Sequence, residues 1–437
     1  MLSKVFFVCF VSFVSSRYEG AGVIWFAETS AQTLTHRGFV ESRTFLFPQQ
    51  TTNDATRIVE DLLVREEVFV KPVEWVQLAG GLDVRANSHD QVDDRWRVEF
   101  YDRGARRPRV AVRRLAATLT HGGFTLDVGK QFIRWGRADI INPTDRFAPR
   151  DYLNVVDNEF LGVTAARAVA QAGDDTFELV WAPRFTPSRV PLLDARWTAI
   201  PSEAANVRLV DTPAALPRGS QTGVRWSHIG ARLESSVSFF NGFNHLPNIS
   251  LHAWPGPTSG VGPVASRVEG PLPIEIDVAR VYPPIRTYGA DAAVPTPWFT
   301  LKGETAYFTS RSPATDEYVL YVVQLERQTG EWVLVGGYAG EAVTSRRALS
   351  TFAPDRGTTR SLVGRASYTI DPNRSVAFEG AVRQSGRGAY GKAEYSQARG
   401  QHWRATVTGT LIRGEPDDFL GQYRRNSHLV LSLRYSF

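Results

Sequence analysis

The chain is poor in the residues that build covalent or metal-held frameworks. Its single cysteine, Cys9, lies in an apolar N-terminal run, so neither a disulfide framework nor a thiolate metal site is expected in the body of the chain. Motifs of the type His-Glu-x-x-His, Gly-x-x-x-x-Gly-Lys and Gly-x-Ser-x-Gly are absent. The eight histidines are scattered, and His121, His228 and His402 fall at turn positions where a solvated imidazole is the simplest role. No metal, no cofactor and no catalytic residue is therefore expected. No stretch approaches 18 consecutive apolar residues, which excludes a helical membrane protein. Neither low-complexity linkers nor heptads divide the 437 residues, so one large unit is expected. Among the 50 basic residues lysine supplies only Lys4, Lys71, Lys130, Lys302 and Lys392; the rest are arginine. Acidic residues are interspersed with them throughout and leave a net charge of only +5, without the basic stripe a nucleic-acid partner requires.

The N-terminus has the order of an export signal: Lys4, an apolar run from Val5 to Val11 that resumes to Val14, then small residues. Cleavage after Ala31 fits the start of the strand pattern, so residues 1–31 are assigned to a signal peptide and residues 32–437 to the folded unit. In the last segment Leu429, Leu431, Leu433, Tyr435 and Phe437 alternate with His428, Val430, Ser432, Arg434 and Ser436. Such alternation marks a strand with one greasy and one mainly polar face. The segment before it, from His402 to Leu411, repeats the design.

Counting back from Phe437, alternating segments end near 428–437, 402–412, 388–398, 374–384, 360–370, 331–343, 317–327, 297–310, 282–294, 231–243, 221–229, 174–184, 160–170, 123–136, 109–120, 75–87, 58–70 and 39–47. Every second connection is turn-like, such as Arg399-Gly400-Gln401, Asp371-Pro372-Asn373 and Ala172-Gly173-Asp174; the others are longer, with Pro-rich stretches at 244–281 and 186–220. A soluble sandwich has no reason to keep that parity. The expected fold is all-β: a transmembrane antiparallel up-and-down β-barrel of about 16–18 strands with long extracellular loops and short periplasmic turns. Two places read ambiguously. Asp54 to Val68 also fits an amphipathic helix, and Trp96 to Tyr101 is strand-like but breaks the parity, so it is assigned to a loop. Aromatics near strand ends (Trp135, Trp181, Phe243, Trp298, Phe308, Trp332, Tyr368, Tyr390, Trp403, Phe437) are read as interfacial girdles.

The terminal Leu-Arg-Tyr-Ser-Phe, with Leu433, Tyr435 and Phe437 on the apolar face, resembles the C-terminal signal by which outer-membrane barrels are recognised by their assembly machinery. Gly38-Phe39-Val40-Glu41-Ser42-Arg43, Gly129-Lys130-Gln131-Phe132-Ile133-Arg134-Trp135-Gly136 and Ile141-Asn142-Pro143-Thr144-Asp145 resemble patterns of porin-like Gram-negative outer-membrane β-barrel families. The likeness covers the first third of the chain, and Asp151 and Asp157 match part of a further acidic cluster. It implies residence in the cell outer membrane, with lipid, lipopolysaccharide and the assembly machinery as partners, and is compatible with an oligomer.

A barrel of this size leaves an aqueous lumen, so the expected function is passive diffusion of small hydrophilic solutes. On the inferred inner faces Arg113, Arg232, Arg383, Arg404 and Arg434 stand against Glu234 and Glu379, which predicts a mildly positive lumen that prefers anions. The segment after Trp135 carries Arg137, Asp139, Asn142, Asp145, Arg146, Arg150 and Asp151, and Pro143 and Pro149 stiffen it. It is expected to fold into the pore as a charged constriction. Two alternatives stay open: a structural or export-associated barrel whose own loops block the lumen, and a hydrolase at the barrel rim.

Overall fold

A computed structural model describes residues 33–199, 207–254, 274–347, 352–384 and 387–437. The segment assigned to the signal peptide lies outside them. Eighteen antiparallel strands form the wall. They are β1 Thr33–Leu46, β2 Ile58–Val73, β3 Val76–Asn87, β4 Val110–His121, β5 Phe124–Gln131, β6 Val163–Ala172, β7 Asp175–Ala182, β8 Gln221–Ile229 and β9 Glu234–Phe243. The second half continues with β10 Pro284–Pro295, β11 Thr300–Thr309, β12 Glu317–Thr329, β13 Trp332–Ser345, β14 Ser361–Asp371, β15 Arg374–Arg383, β16 Ala389–Arg399, β17 Trp403–Arg413 and β18 His428–Ser436.

Each strand pairs with its sequence neighbour, and β1 closes on β18 from Phe39↔Ser436 to Leu46↔Leu429. Closure satisfies every edge, the condition for a sheet in hydrocarbon. Phe437 completes the seam, exchanging two backbone hydrogen bonds of 3.0 Å with Gly38. The short connections all lie at one rim. Gly122, Gly173, Gly330 and Gly400 take positive φ there, between 56° and 63°, in hairpins too tight for most L residues.

Side chains alternate with the pleat. Leu429, Leu431, Leu433, Tyr435 and Phe437 face outward and are exposed, as are Leu362, Phe378, Val382 and Leu411. Trp75, Trp298, Trp332 and Trp403 ring the turn-side rim, where amphipathic indoles suit the boundary between lipid and water. Three of the aromatics read as girdle residues point the other way: Trp135 and Phe308 are buried inside the barrel, and Tyr390 lines its interior.

Asp54 to Val68 is not helical. From Ile58 it belongs to β2, whose inner residues Asp61, Arg65 and Glu67 are charged and disguise the period of two. Residues 96–101 lie in the connection after β3, with Val98–Glu99 adding one short parallel pairing to β4. The strand expected over 123–136 stops at Gln131. Gly129, two residues before that end, has φ 125°, and a Cβ there would meet Leu115 O at 2.2 Å; pairing with β6 runs on to Gln131 before the chain turns inward.

Candidate functional site

The connection 132–162 runs through the barrel interior. Ile133, Trp135 and Phe147 pack with Val180, Phe240, Ile285, Phe308 and Leu320 of the inner wall in the largest buried apolar cluster. Two wall glycines permit the approach: a Cβ on Gly223 would come within 2.5 Å of Trp135, and one on Gly289 within 2.7 Å of Thr144. The half of the lumen facing β6 to β12 is thereby filled.

Polar groups set the register of this insertion. Glu304 on β11, only 3% exposed, accepts from the backbone N–H of Arg137, Ala138 and Thr144 (3.0, 3.0 and 2.9 Å) and from Thr144 Oγ1 (2.8 Å). Gln324 Oε1 receives the N–H of Asp139, whose carboxylate takes Lys302 Nζ at 3.0 Å. The Arg137 guanidinium pairs with Glu234 and Asp291, while Trp135 Nε1 donates to Glu178 at 2.5 Å. A strand acid buried toward the lumen costs free energy unless donors meet it, and the inserted backbone supplies them.

Farther along, the insertion crosses to the opposite wall. Asp157 pairs with Arg43 of β1, and Glu159 lies 2.7 Å from Arg85 and 3.3 Å from Arg65. Burial opposes ionisation of Asp157, but the Arg43 guanidinium outweighs it and holds the carboxyl below its usual range. Asp151 lies in a buried cluster with Arg107 (2.9 Å) and Arg189 (3.1 Å). Arg189 also reaches Asp102, which binds the fully buried Lys130 at 2.5 Å. Segments 88–109 and 183–199 are thus locked onto the insertion.

The residues expected at the constriction are therefore separated. Asp145, Arg146 and Arg150 border a cavity of about 260 Å³ on the loop side. Arg137 and Asp139 are spent on the wall, and Asp151 is sequestered. The nearest approach to the open wall comes later, at Val155 to Glu159, whose charges are too sparse to stand out in the sequence. A second cavity, about 400 Å³, lies toward the turns and is lined by Ser375, Thr406, Thr408 and Thr410 together with Lys392, Arg404, Arg434, Glu41 and Glu394.

The residues read as lumen-lining also divide. Arg434 pairs with Glu41 at 2.9 Å, Arg383 with Asp418 at 2.8 Å, and Arg113 stands 3.9 to 4.0 Å from Glu67, Asp83 and Glu159. Glu234 holds Arg137, Glu379 accepts from the Tyr390 hydroxyl at 3.2 Å, and Arg404 donates to Ser396 at 3.0 Å. Arg232 lies before β9 begins, exposed in the turn at residues 230–233. Lys392, which the sequence reading passed over, faces the open side; among the described residues neither it nor Arg404 has a carboxylate at ion-pair distance.

His245 joins two inserted segments. Its Nδ1 lies 2.6 Å from Thr186 O and its Nε2 2.8 Å from Arg146 O, with the ring stacked on Phe185. Burial pushes its pKa down to about 4, against the pull of the two carbonyls. An unfolded histidine takes its proton near 6.5, so docking stability is complete above that pH and declines as pH falls toward 4, by roughly 3 kcal/mol in all. Hydrogen exchange at residues 183–189 and 244–247, corrected for intrinsic rates, is expected to be faster at pH 4.5 than at pH 7. Replacing His245 by Gln should abolish the difference; an unaltered pH dependence in H245Q would exclude the histidine as its source.

No protein-family model matches this chain, and no curated protein matches it in sequence. Solved structures do. A BenF-like porin from Pseudomonas fluorescens Pf-5 superposes with a TM-score of 0.53 at 8% identity, covering 92% of this chain and 98% of the porin. OpdQ of Pseudomonas aeruginosa gives 0.52 at 9% identity (94% and 99% covered), and OccAB4 of Acinetobacter baumannii gives 0.52 at 10% (93% and 98%). At such identities the likeness is one of architecture, and it extends over nearly the whole of each chain: this protein has the fold of bacterial outer-membrane porins.

Proposed function

We propose that the protein is a porin-type channel of the Gram-negative outer membrane, passing small hydrophilic solutes by diffusion rather than catalysing a reaction. The observation that carries this reading is the pairing of an apolar, girdled exterior with a lumen that the inserted segment packs against on one side and crosses at one level, leaving polar cavities along the rest. What remains open is lined by hydroxyls and charges along β15 to β18 and β1. In this reading residues 1–31 are removed on export, the turns face the periplasm and the long loops face outward. Phe437 and Tyr435 then serve the assembly machinery, and lipopolysaccharide surrounds the loop-side rim.

Purified, folded protein in planar bilayers should give stepwise conductance; silence from it and from every folded variant opened at the insertion would exclude a channel. The lumen should favour anions, because among the described residues Lys392 and Arg404 have no carboxylate at ion-pair distance and Glu41 is taken by Arg434, so that two cations face the single unpaired carboxylate Glu394 in this cavity. A reversal potential in a salt gradient reads this directly, and Lys392→Glu should move it toward cation preference. Cation preference in the unaltered protein would overturn the anion assignment.

A second reading has one observation in its favour. The insertion reaches the opposite wall, as it would in a barrel blocked by its own loops that serves a structural or export role. Conductance separates the two.

A further inference from the structure

The loop-side and turn-side cavities are distinct, and among the described residues Val156 is the one that lines both. At that level the insertion meets the open wall without a polar contact. Val155 is buried with Ile412 of β17, Trp197 and Tyr423, and Val156 and Tyr390 pack against the same cluster. The tip is held in shape from behind: Asn154 Oδ1 accepts the Val156 N–H at 3.3 Å, Asn158 Nδ2 donates to Val155 O at 3.4 Å, and Arg150 donates to Asn158 at 2.9 Å. One residue beyond Val156, the Asp157–Arg43 pair ties the tip to β1. An apolar contact is thus clamped across a passage whose two chambers are otherwise polar on the turn side and bordered by Arg146 and Arg150 on the loop side.

We propose that Val155 and Val156 form a hydrophobic gate that divides the pore, so that a solute or hydrated ion crosses only when this tip separates from Tyr390 and Ile412. An apolar neck disfavours water and strips ions of hydration they cannot replace, so it blocks current even where a small gap exists. The gate rests on the porin reading and adds to it the residues that control passage. It also accounts for the wall-to-wall contact without a permanently blocked barrel, because at Val155 and Val156 themselves the contact is apolar, while the ion pairs of Asp157 with Arg43 and of Glu159 with Arg85 and Arg65 hold the chain just beyond them.

The test compares wild type, Val156→Ser and the double variant Val155→Ser/Val156→Ser in planar bilayers with potassium chloride, with Val156→Ile as the variant that keeps the seal. Heat-modifiable electrophoretic mobility verifies that each barrel has closed. The serine variants should raise the mean current per channel several-fold, through longer openings or larger steps, while V156I stays at the wild-type level or below. Equal currents in wild type and both serine variants would overturn the gate and leave the porin reading standing. Silence from every folded variant would overturn both. A second readout does not depend on hydrophilic substitution being tolerated: in Val156→Cys, a charged methanethiosulfonate reagent should change the current of open channels in discrete steps. Current that is indifferent to the reagent, in protein shown by mass to be modified, would also remove Val156 from the conduction path.

Discussion

Excising residues 137–160 and bridging the ends with a few glycines should raise single-channel conductance several-fold while the barrel still folds. Closure depends on the ladder between β1 and β18 and on the apolar exterior, and the excised segment contributes to neither. It does occupy the lumen over the inner wall from β6 to β12. Glu304 would not be left as a stranded buried acid, because water would enter the space the segment vacates, while Asp291 keeps Arg225 and Glu178 keeps Trp135 and Arg167. Selectivity should change with size. The excised residues carry Asp139, Asp145, Asp151, Asp157 and Glu159 against Arg137, Arg146 and Arg150, so their loss leaves the lumen more positive, frees Arg43 and leaves Arg85 with Asp83 alone. Anion preference should therefore increase along with conductance. A folded variant with wild-type conductance would show that the segment does not limit the pore.

The second large effect is expected at Glu304. One buried carboxylate accepts four hydrogen bonds from the insertion, three of them from backbone N–H groups that no other side chain can satisfy in place. A bond to a charged acceptor contributes about 1.5–3 kcal/mol, and leaving its donors buried and unmet adds a further cost. Glu304→Ala should weaken docking of the insertion by about 3 kcal/mol or more, with little effect on strand pairing. The expected signature is flickering current and rapid protease cleavage within residues 134–150, against a barrel that keeps its heat-modifiable mobility. E304Q keeps one acceptor oxygen and should fall between. Quiet channels and a protease-resistant segment in E304A would mean that the apolar cluster around Trp135 and Phe147 docks the insertion unaided.

Some of this was legible in order along the chain and some was not. The wall was legible because a transmembrane strand is a local object: alternation in Leu429 to Phe437 follows from the pleat, and the turn at Gly400 or Gly173 needs only its immediate neighbours. All eighteen strands could be placed approximately for that reason. Boundaries failed where a non-local demand intervened. The period of two in β2 was obscured by Asp61, Arg65 and Glu67, which point into the barrel and meet charges on nearby strands, Arg65 with Asp83 on β3 and Glu67 with Arg113 on β4. The expected end of β5 was wrong by several residues because the apolar side chains of Phe132 to Trp135 suit a lipid-facing strand and a lumenal core equally well.

The inner site divides along the same line. Charge density drew attention to the segment after Trp135, but it could not say which of its charges would be taken up by the wall. Arg137 and Asp139 were claimed by Glu234, Asp291, Gln324 and Lys302, which lie on β9 to β12, far away in sequence. Asp151 was claimed by Arg107 and Arg189 from two other connections. Val155 and Val156 gave no signal, since two adjacent valines become a neck only when Tyr390 and Ile412 stand opposite. The sequence by itself determined that the chain closes into a barrel with a greasy outside and turns at one rim, because those properties repeat with the pleat and require only neighbours. The tertiary structure alone decided which half of the lumen is filled, which ions are neutralised and where the passage narrows, because each of those depends on residues brought together across the barrel by its closure.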